Sequence, residues 1–263
     1  MYFSVNTSYK NYMNYSKKPG LTGSHLKWIA IITMLIDHIG AALLEIGLLP
    51  KVADAVLAGN SFDYVMADYH FWYRFDDVLR AIGRLAFPIF CFLLVEGFLH
   101  TKDVKKYALR LGLFALISEI PFDLAFNERI LEVSYQNVFF TLFIGLLVLI
   151  GHKYFEETLP LHLSWLRFIV AITGVLFAVF LRTDYDAFGI ILIVLLYEFR
   201  NYKLLRCIAG AILMLFNSTT GCLAFLLIWF YNGERGKQLT KYFFYAFYPV
   251  HLLLLFLARI ILL

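Results

Sequence analysis

Long apolar segments follow one another along this chain, separated by short polar connections. They lie at 26–49, 78–100, 105–126, 137–152, 164–181, 186–199, 203–217, 219–231 and 242–263. A helix that crosses a bilayer needs about 20 mainly apolar residues, and the alternating pattern of a membrane β-barrel is absent. The pattern predicts an all-α integral membrane protein with about nine transmembrane helices in one bundle, although the segments within 184–231 are short.

The composition supports this interpretation. Hydrophobic residues make up 61% of the 263 residues, charged residues 16%, and the mean hydropathy is +0.74. Soluble domains are about half apolar and about a quarter charged. Cys91, Cys207 and Cys222 stand singly, which predicts neither a metal site nor a disulfide framework. No basic run is interleaved with aromatic residues, so we expect no nucleic-acid partner.

The Lys and Arg residues concentrate in alternate connections. Sixteen of the 23 lie in the N-terminal tail and in every second connection, and seven lie elsewhere. Because basic residues favour cytoplasmic loops, we expect a cytoplasmic N-terminus and an outside C-terminus in the plasma (inner) membrane. Residues 1–24 are predicted to form a disordered cytoplasmic tail, with Ser24 capping the first helix. Residues 25–263 form a single transmembrane domain with an outside loop at 50–77, where aromatic residues favour a short interfacial helix.

Ionisable side chains recur inside the apolar segments. A charged group at mid-bilayer costs about 2.5–3.5 kcal/mol on insertion scales, so each is a candidate site residue. Asp37 and His38 lie about a dozen residues into the first segment, and His251 lies at mid-depth in the last. A neutral imidazole can act as a general base near pH 7. The alternative is a hydrogen bond between helices without chemistry.

Other polar groups occur as pairs four residues apart, each on one helix face. They are Arg80 with Arg84, Glu96 with His100, and Glu119 with Asp123 around Pro121; Asn137 opens the next segment. A buried guanidinium needs an anion, so we expect Arg84 to face Glu119 or Asp123. That contact would be a structural ion pair or part of a site for an amine or hydroxyl acceptor. Pro88 is expected to kink its helix.

Several of these polar residues stand in blocks that resemble the TraX family. The blocks are LKWIAIITMLIDHIGA (26–41), IGRLAFPIFCFLLVEGFLHT (82–101), ALISEIPFDLAF (115–126), NVFFTLFIG (137–145), DYDAFGIILI (184–193), YNGERG (231–236) and YFFYAFYPVH (242–251). The resemblance runs in order from about residue 22 to the end. The family's namesake N-acetylates pilin subunits, so the resemblance implies a multi-pass membrane acetyltransferase that uses acetyl-CoA and no metal.

This implied activity gives the polar residues provisional roles. His38, Asp37, Glu96 and His251 are expected to be catalytic, with His38 as the base or as a transient acetyl carrier. Arg84, Glu119, Asp123 and Asn137 are expected to bind the acceptor; His100, Arg110, Lys105 and Lys106 are expected to hold acetyl-CoA. The last assignment rests on charge and predicted side alone, because no phosphate-binding glycine motif is present. The acceptor is either a pilin-like amino terminus or an envelope glycan or lipid.

Two other classes of function fit the same pattern of residues. In a proton-coupled transporter, Asp37, His38 and Glu119 would form an ion path, although no internal repeat is visible. In a non-enzymatic scaffold for envelope assembly, the polar residues would only join helices.

Overall fold

The computed structural model describes residues 19–57, 62–237 and 241–263; the tail up to residue 18 lies outside the described residues. Within those ranges the regular elements are helices. Two isolated β-bridges pair residues outside the helices, Leu21 with Tyr231 and Gln136 with Thr183. The α-helices are α1 Gly23–Ile39, α2 Leu49–Leu57, α3 Phe62–Gly83, α4 Ala86–His100, α5 Val104–Phe126, α6 Val138–Thr158, α7 Arg167–Phe180, α8 Asp186–Glu198, α9 Lys203–Leu215, α10 Ala224–Trp229 and α11 Lys241–Leu262. A π-helical segment, Gly40–Leu48, joins α1 to α2, and 3₁₀ turns at Leu161–Leu166 and Gly221–Leu223 precede α7 and α10. The predicted all-helical fold is confirmed.

Five helical stretches of the described chain are long and apolar enough to cross a bilayer: Gly23–Asp54, Tyr69–His100, Val138–Thr158, His162–Phe180 and Tyr242–Leu262. Helices α8, α9 and α10 have 13, 13 and 6 residues, fewer than the about 20 that a crossing needs. The chain is therefore a multi-pass membrane protein. The count of nine transmembrane helices and the orientation of the termini stay predictions.

The start of helix α1 is capped by Thr22 and by a loop that is distant in sequence. The Thr22 side chain accepts the N–H of His25, and the His25 ring accepts the N–H of Thr22. The N–H groups of Gly23 and Ser24 donate to the carbonyls of residues 234 and 235, at 2.8 and 3.0 Å. These bonds satisfy donors that a helix start leaves open. The prediction of Ser24 as the cap is wrong, because the cap is Thr22 and Ser24 is already the second residue of the helix.

The stretch 50–77 is largely helical rather than a loop, since α2 runs to Leu57 and α3 starts at Phe62. The chain then turns at residues 84–85 before α4. Pro88 explains this break: it has no N–H to donate to the carbonyl of Arg84 one turn earlier. The predicted kink at Pro88 thus takes the form of an interruption just before it.

Helix α4 lies at the centre of the bundle and packs against α1, α6, α8 and α10, while α5 packs against α6 and α11. Ile89 and Phe92 of α4 are fully buried, as are Leu26 of α1 and Leu146 of α6. One end of the bundle, here called the basic end, combines the start of α1, the α4–α5 connection and the loop before α11. Contacts across this end include Leu21 with the carbonyl of Phe230, and Lys153 with the Phe98 ring.

Candidate functional site

Two imidazoles, from the first and last helices, meet inside the bundle. The Nδ1 atom of His38 lies 2.6 Å from the Nε2 atom of His251. The rings are parallel to within 1°, with centroids 4.9 Å apart. A contact this short between ring nitrogens of parallel rings lies close to the common ring plane, where imidazole N–H bonds and lone pairs point. It is therefore a hydrogen bond along the plane rather than face-to-face stacking.

The backbone determines which nitrogen carries each proton. Nδ1 of His251 lies 2.7 Å from the carbonyl oxygen of Phe247, which can only accept, so this Nδ1 is protonated. In neutral His251 the other nitrogen, Nε2, is then an acceptor, and Nδ1 of His38 must donate to it. Nε2 of neutral His38 keeps its lone pair, and no protein partner for it is found among the described residues. The network thus makes His38 the imidazole with a free basic nitrogen.

A cavity of about 520 Å³ extends from the basic end towards the histidine pair. Sites for small molecules have volumes of about 300–1,000 Å³. Basic side chains line its outer part, and apolar and aromatic side chains line its inner part. The outer group comprises Lys27, His100, Lys102, Arg110 and Arg235, and the inner group Met34, Val138, Phe139, Leu142 and Tyr248. The Tyr248 ring lies 5.8 Å from that of His38 and 5.7 Å from that of His251, so this side chain borders both the cavity and the imidazoles.

Glu96 and His100, expected near the basic end, both line this cavity. The Glu96 carboxylate accepts from the Tyr231 hydroxyl at 3.1 Å and lies 3.8 Å from the guanidinium of Arg206. The exposed His100 ring contacts the backbone carbonyl of Glu96 at 2.8 Å. Glu96 therefore has both a cation and a hydroxyl as partners.

Of the residues expected to hold acetyl-CoA, only some line the cavity. Arg110 lines the cavity beside the rings of Tyr107 and Tyr245. Lys105 and Lys106 do not line it, and Lys106 pairs instead with Asp103 at 3.1 Å. The N–H of Lys106 also donates to Asp103, which lowers the pKa of that carboxyl.

Asp37 contacts α3 rather than the imidazole beside it in sequence. Its Oδ2 lies 2.7 Å from Nη1 of Arg80, whose Nε is 3.6 Å from Glu45. Its Oδ1 is buried without a hydrogen-bond partner. Gly83 permits this approach of α1 to α3, because a Cβ there would lie 2.2 Å from the Asp37 side chain. Asp37 thus balances the charge of Arg80 and does not orient His38 directly.

Arg84 does not face the carboxylates of α5, contrary to expectation. Its electrostatic neighbours are the Tyr185 hydroxyl, Asp37 and Asp184. The sequence could not show this, because Asp184 and Tyr185 reach the α3–α4 turn only through the path of the connection from α7 to α8. Burial raises the pKa of Asp184 to about 6, although the Tyr135 hydroxyl donates to its carboxylate at 2.8 Å.

Glu119 and Asp123 are bound to neighbouring backbone segments. The Asn137 amide donates to Glu119 and to the carbonyl of Ala115, while its Oδ1 caps α6 by accepting the N–H of Phe139. Asp123, fully buried, accepts from the Asn127 amide at 2.9 Å and from the N–H of Glu132 at 2.7 Å. These contacts fix the α5–α6 connection. Glu119 keeps a buried Oε1 without a partner.

Two buried groups of this structure were not singled out from the sequence. His152 is fully buried, with Nε2 2.5 Å from Glu198, which also pairs with Arg167 at 3.1 Å. Arg259, counted as an outside charge, is buried and donates to the carbonyls of Ala125 and Leu124 at 2.7 and 3.1 Å. A basic residue within a long apolar segment was the available signal for Arg259. His152, by contrast, lies near a predicted helix end.

No group of three or more His, Cys, Asp and Glu side chains in the described ranges could hold a metal ion. The three cysteines are free thiols, and Cys91 and Cys207 are buried. The side chains of this site offer imidazole, carboxylate and phenol groups around a cavity with a basic entrance.

Comparisons with known proteins identify the family of this chain. Residues 22–259 match the family described as TraX protein. The chain is 30% identical over 276 residues to the "Probable fimbrial assembly protein FimC, serogroup H1" of Dichelobacter nodosus, an alignment that covers 94% of this chain and 99% of that protein. No solved structure matches the chain. The family match covers every residue of the histidine pair and of the cavity, and the chain belongs to the TraX family.

Proposed function

We propose that this protein is an integral membrane acetyltransferase that moves the acetyl group of cytosolic acetyl-CoA to an amine or hydroxyl acceptor at or across the membrane. The observation that carries the proposal is the cavity with a basic entrance that ends one side chain from the His38–His251 pair. Acetyl transfer needs an anion-binding entrance for the donor and a base near the thioester, and this site offers both.

The lining of the cavity suits the two parts of acetyl-CoA. Lys102 and Arg110 at the outer part suit the phosphates, since guanidinium and ammonium groups form charge-assisted hydrogen bonds to phosphate oxygens. The apolar inner part, with Met34, Phe139 and Leu142, suits the less polar arm that carries the thioester. On this proposal the basic end faces the cytoplasm of the plasma membrane, in agreement with the positive-inside rule.

The histidine network supplies the base. Nε2 of His38 takes the proton of the acceptor as the acceptor attacks the thioester carbonyl, and His251 holds the ring through its own bond to Phe247. A positioned base contributes roughly 10²–10⁴-fold to such a reaction. The coenzyme A thiolate leaves with the electrons of the C–S bond and receives that proton, so acetyl-CoA and acceptor give acetylated acceptor and free coenzyme A.

The acceptor we favour is the amino terminus of a fimbrial subunit. The support is the name of the relative from Dichelobacter nodosus, a probable fimbrial assembly protein. Envelope glycans and lipids remain the other acceptor class, and the polar groups at the end opposite the basic end, around Arg84 and Asp184, are where such an acceptor would bind.

Purified protein in detergent tests the proposal. We expect saturable binding of acetyl-CoA by calorimetry, weakened by salt, and transfer of ¹⁴C-acetyl to a synthetic peptide with the amino-terminal sequence of a fimbrial subunit. Transfer to hydroxyl acceptors is measured in a second set of reactions. Absence of both binding and hydrolysis of acetyl-CoA would contradict the enzyme and leave a transporter or scaffold.

A further inference from the structure

Tyr248 is the side chain at which the cavity meets the histidine pair. It lines the cavity, is only 3% exposed, and packs edge-on against Phe139 with ring centroids 5.0 Å apart. It also contacts the rings of His38 and His251. Tyr248 is therefore in contact with the base and exposed to a thioester bound in the cavity.

The hydroxyl of Tyr248 lies near the start of α6. Its electrostatic neighbours include the backbone N–H of Val138, the first residue of that helix, and Val138 also lines the cavity. Among the described residues no acceptor for the hydroxyl proton is found, so that proton is available to donate to a ligand. The N-terminus of a helix favours negative charge, so this position suits a site of developing negative charge.

The other tyrosine hydroxyls on the cavity wall fit this role less well. Tyr231 donates its proton to Glu96 at 3.1 Å. Tyr107 and Tyr245 lie beside Arg110, in the outer part of the cavity. Tyr248 alone among these four tyrosines contacts both imidazoles.

We propose that Tyr248 is a catalytic residue, whose O–H donates a hydrogen bond to the thioester carbonyl oxygen. The inference rests on the acetyl transfer proposed above. The acceptor's lone pair forms a bond to the carbonyl carbon, and the C=O π electrons move to oxygen, where Tyr248 stabilises the charge without losing its proton. When the C=O bond re-forms, the C–S bond breaks, and the thiolate takes the proton that His38 removed from the acceptor. Removal of one such donor typically costs 10²–10³-fold in kcat.

The test compares wild-type protein with Tyr248→Phe, which deletes only the hydroxyl. Tyr242→Phe is the matched control, because Tyr242 lies on the same helix and does not line the cavity. We expect Tyr248→Phe to lose at least 100-fold in kcat and to bind acetyl-CoA within threefold of wild type. Tyr242→Phe should keep kcat within threefold. Infrared spectra of acetyl-CoA labelled with ¹³C at the carbonyl should show the carbonyl band lowered by binding to wild type, and less lowered by binding to Tyr248→Phe.

The infrared measurement separates a catalytic donor from a residue that only supports α6, since deleting a hydroxyl that makes no bond to the carbonyl leaves the band of normally bound acetyl-CoA at its wild-type position. Equal bands for both proteins, or more than a third of wild-type turnover in Tyr248→Phe, would overturn the assignment while acetyl transfer stands. If Tyr248→Phe does not fold, the wild-type protein alone tests the assignment of Tyr248. A carbonyl band of acetyl-CoA bound to wild type that lies at the position of free acetyl-CoA would overturn this assignment. No turnover by wild type would instead reject acetyl transfer itself.

Discussion

Asp37 and Arg80 form an ion pair with an Oδ2···Nη1 distance of 2.7 Å, and the side chains are 17% and 21% exposed. Asp37 therefore links α1 to α3, although it precedes the candidate base in sequence. The carboxylate and the imidazole, adjacent along the chain, belong to two different networks, because successive residues of a helix point in directions about 100° apart.

Replacing Arg80 with Ala should destabilise the protein, because the largely buried Asp37 carboxylate would lose its cation. Breaking a fully buried pair costs about 3–5 kcal/mol, and partial exposure lowers our expectation to about 2–3 kcal/mol. Thermal unfolding in detergent measures the change. The control is Arg74→Ala at an exposed position of the same helix. Adding Asp37→Asn should restore part of the loss; equal midpoints for Arg80→Ala and Arg74→Ala would show that the pair contributes nothing.

Arg110 should contribute to donor binding, whereas Lys105 and Lys106 should not, because only Arg110 lines the cavity. A hydrogen bond to a charged group contributes about 1.5–3 kcal/mol, so Arg110→Ala should raise the dissociation constant of acetyl-CoA roughly tenfold or more. The Lys105→Ala/Lys106→Ala double variant is the control for charge. Calorimetry at two salt concentrations distinguishes them, and a larger effect of the lysine pair would place the donor outside the cavity.

Asp184 should make the protein less stable as the pH rises from about 4 to 6. Its folded pKa is about 6, above its ordinary value, because burial disfavours the charge. The folded state then binds more protons than the unfolded state in this window, so unfolding becomes easier as pH increases. Asp184→Asn keeps an acceptor for Tyr135 and should flatten the dependence. Unfolding midpoints at pH 4, 6 and 8 test this; a parallel shift of both proteins would contradict the assignment.

Glu119 should be needed for the fold rather than for turnover. Its carboxylate accepts from Asn137, which caps α6. Glu119→Gln retains an amide oxygen at this site and should keep both stability and transfer close to wild type, while Glu119→Ala should lower the unfolding midpoint. A Glu119→Gln protein that is stable but more than tenfold slower would give this residue the role in acceptor binding that the sequence suggested.

The sequence predicted what depends on local pattern. Apolar length and polar breaks indicated helices that the structure contains, and depth along each helix brought His38 and His251 to the same level. The contact partners were less predictable, because they depend on how helices rotate and on which loops meet. Arg84 faces Asp184 and Tyr185 for this reason. Arg259 binds backbone carbonyls and lies 3.4 Å from the Glu128 carboxylate of the α5–α6 connection. Contacts to backbone carbonyls are not revealed by pairing charged residues in the sequence.

The tautomer assignment makes the two histidines unequal, and this difference is the most direct test of the account. Rates of acetyl transfer are measured for purified His38→Gln and His251→Gln, with acetyl-CoA binding and unfolding midpoints as controls. We expect both variants to bind acetyl-CoA as wild type does. His38→Gln should lose at least 100-fold in turnover because the basic Nε2 is gone, whereas His251→Gln should lose about tenfold, since it only holds the His38 ring. A stable His38→Gln protein that retains more than a tenth of wild-type transfer would contradict the histidine mechanism.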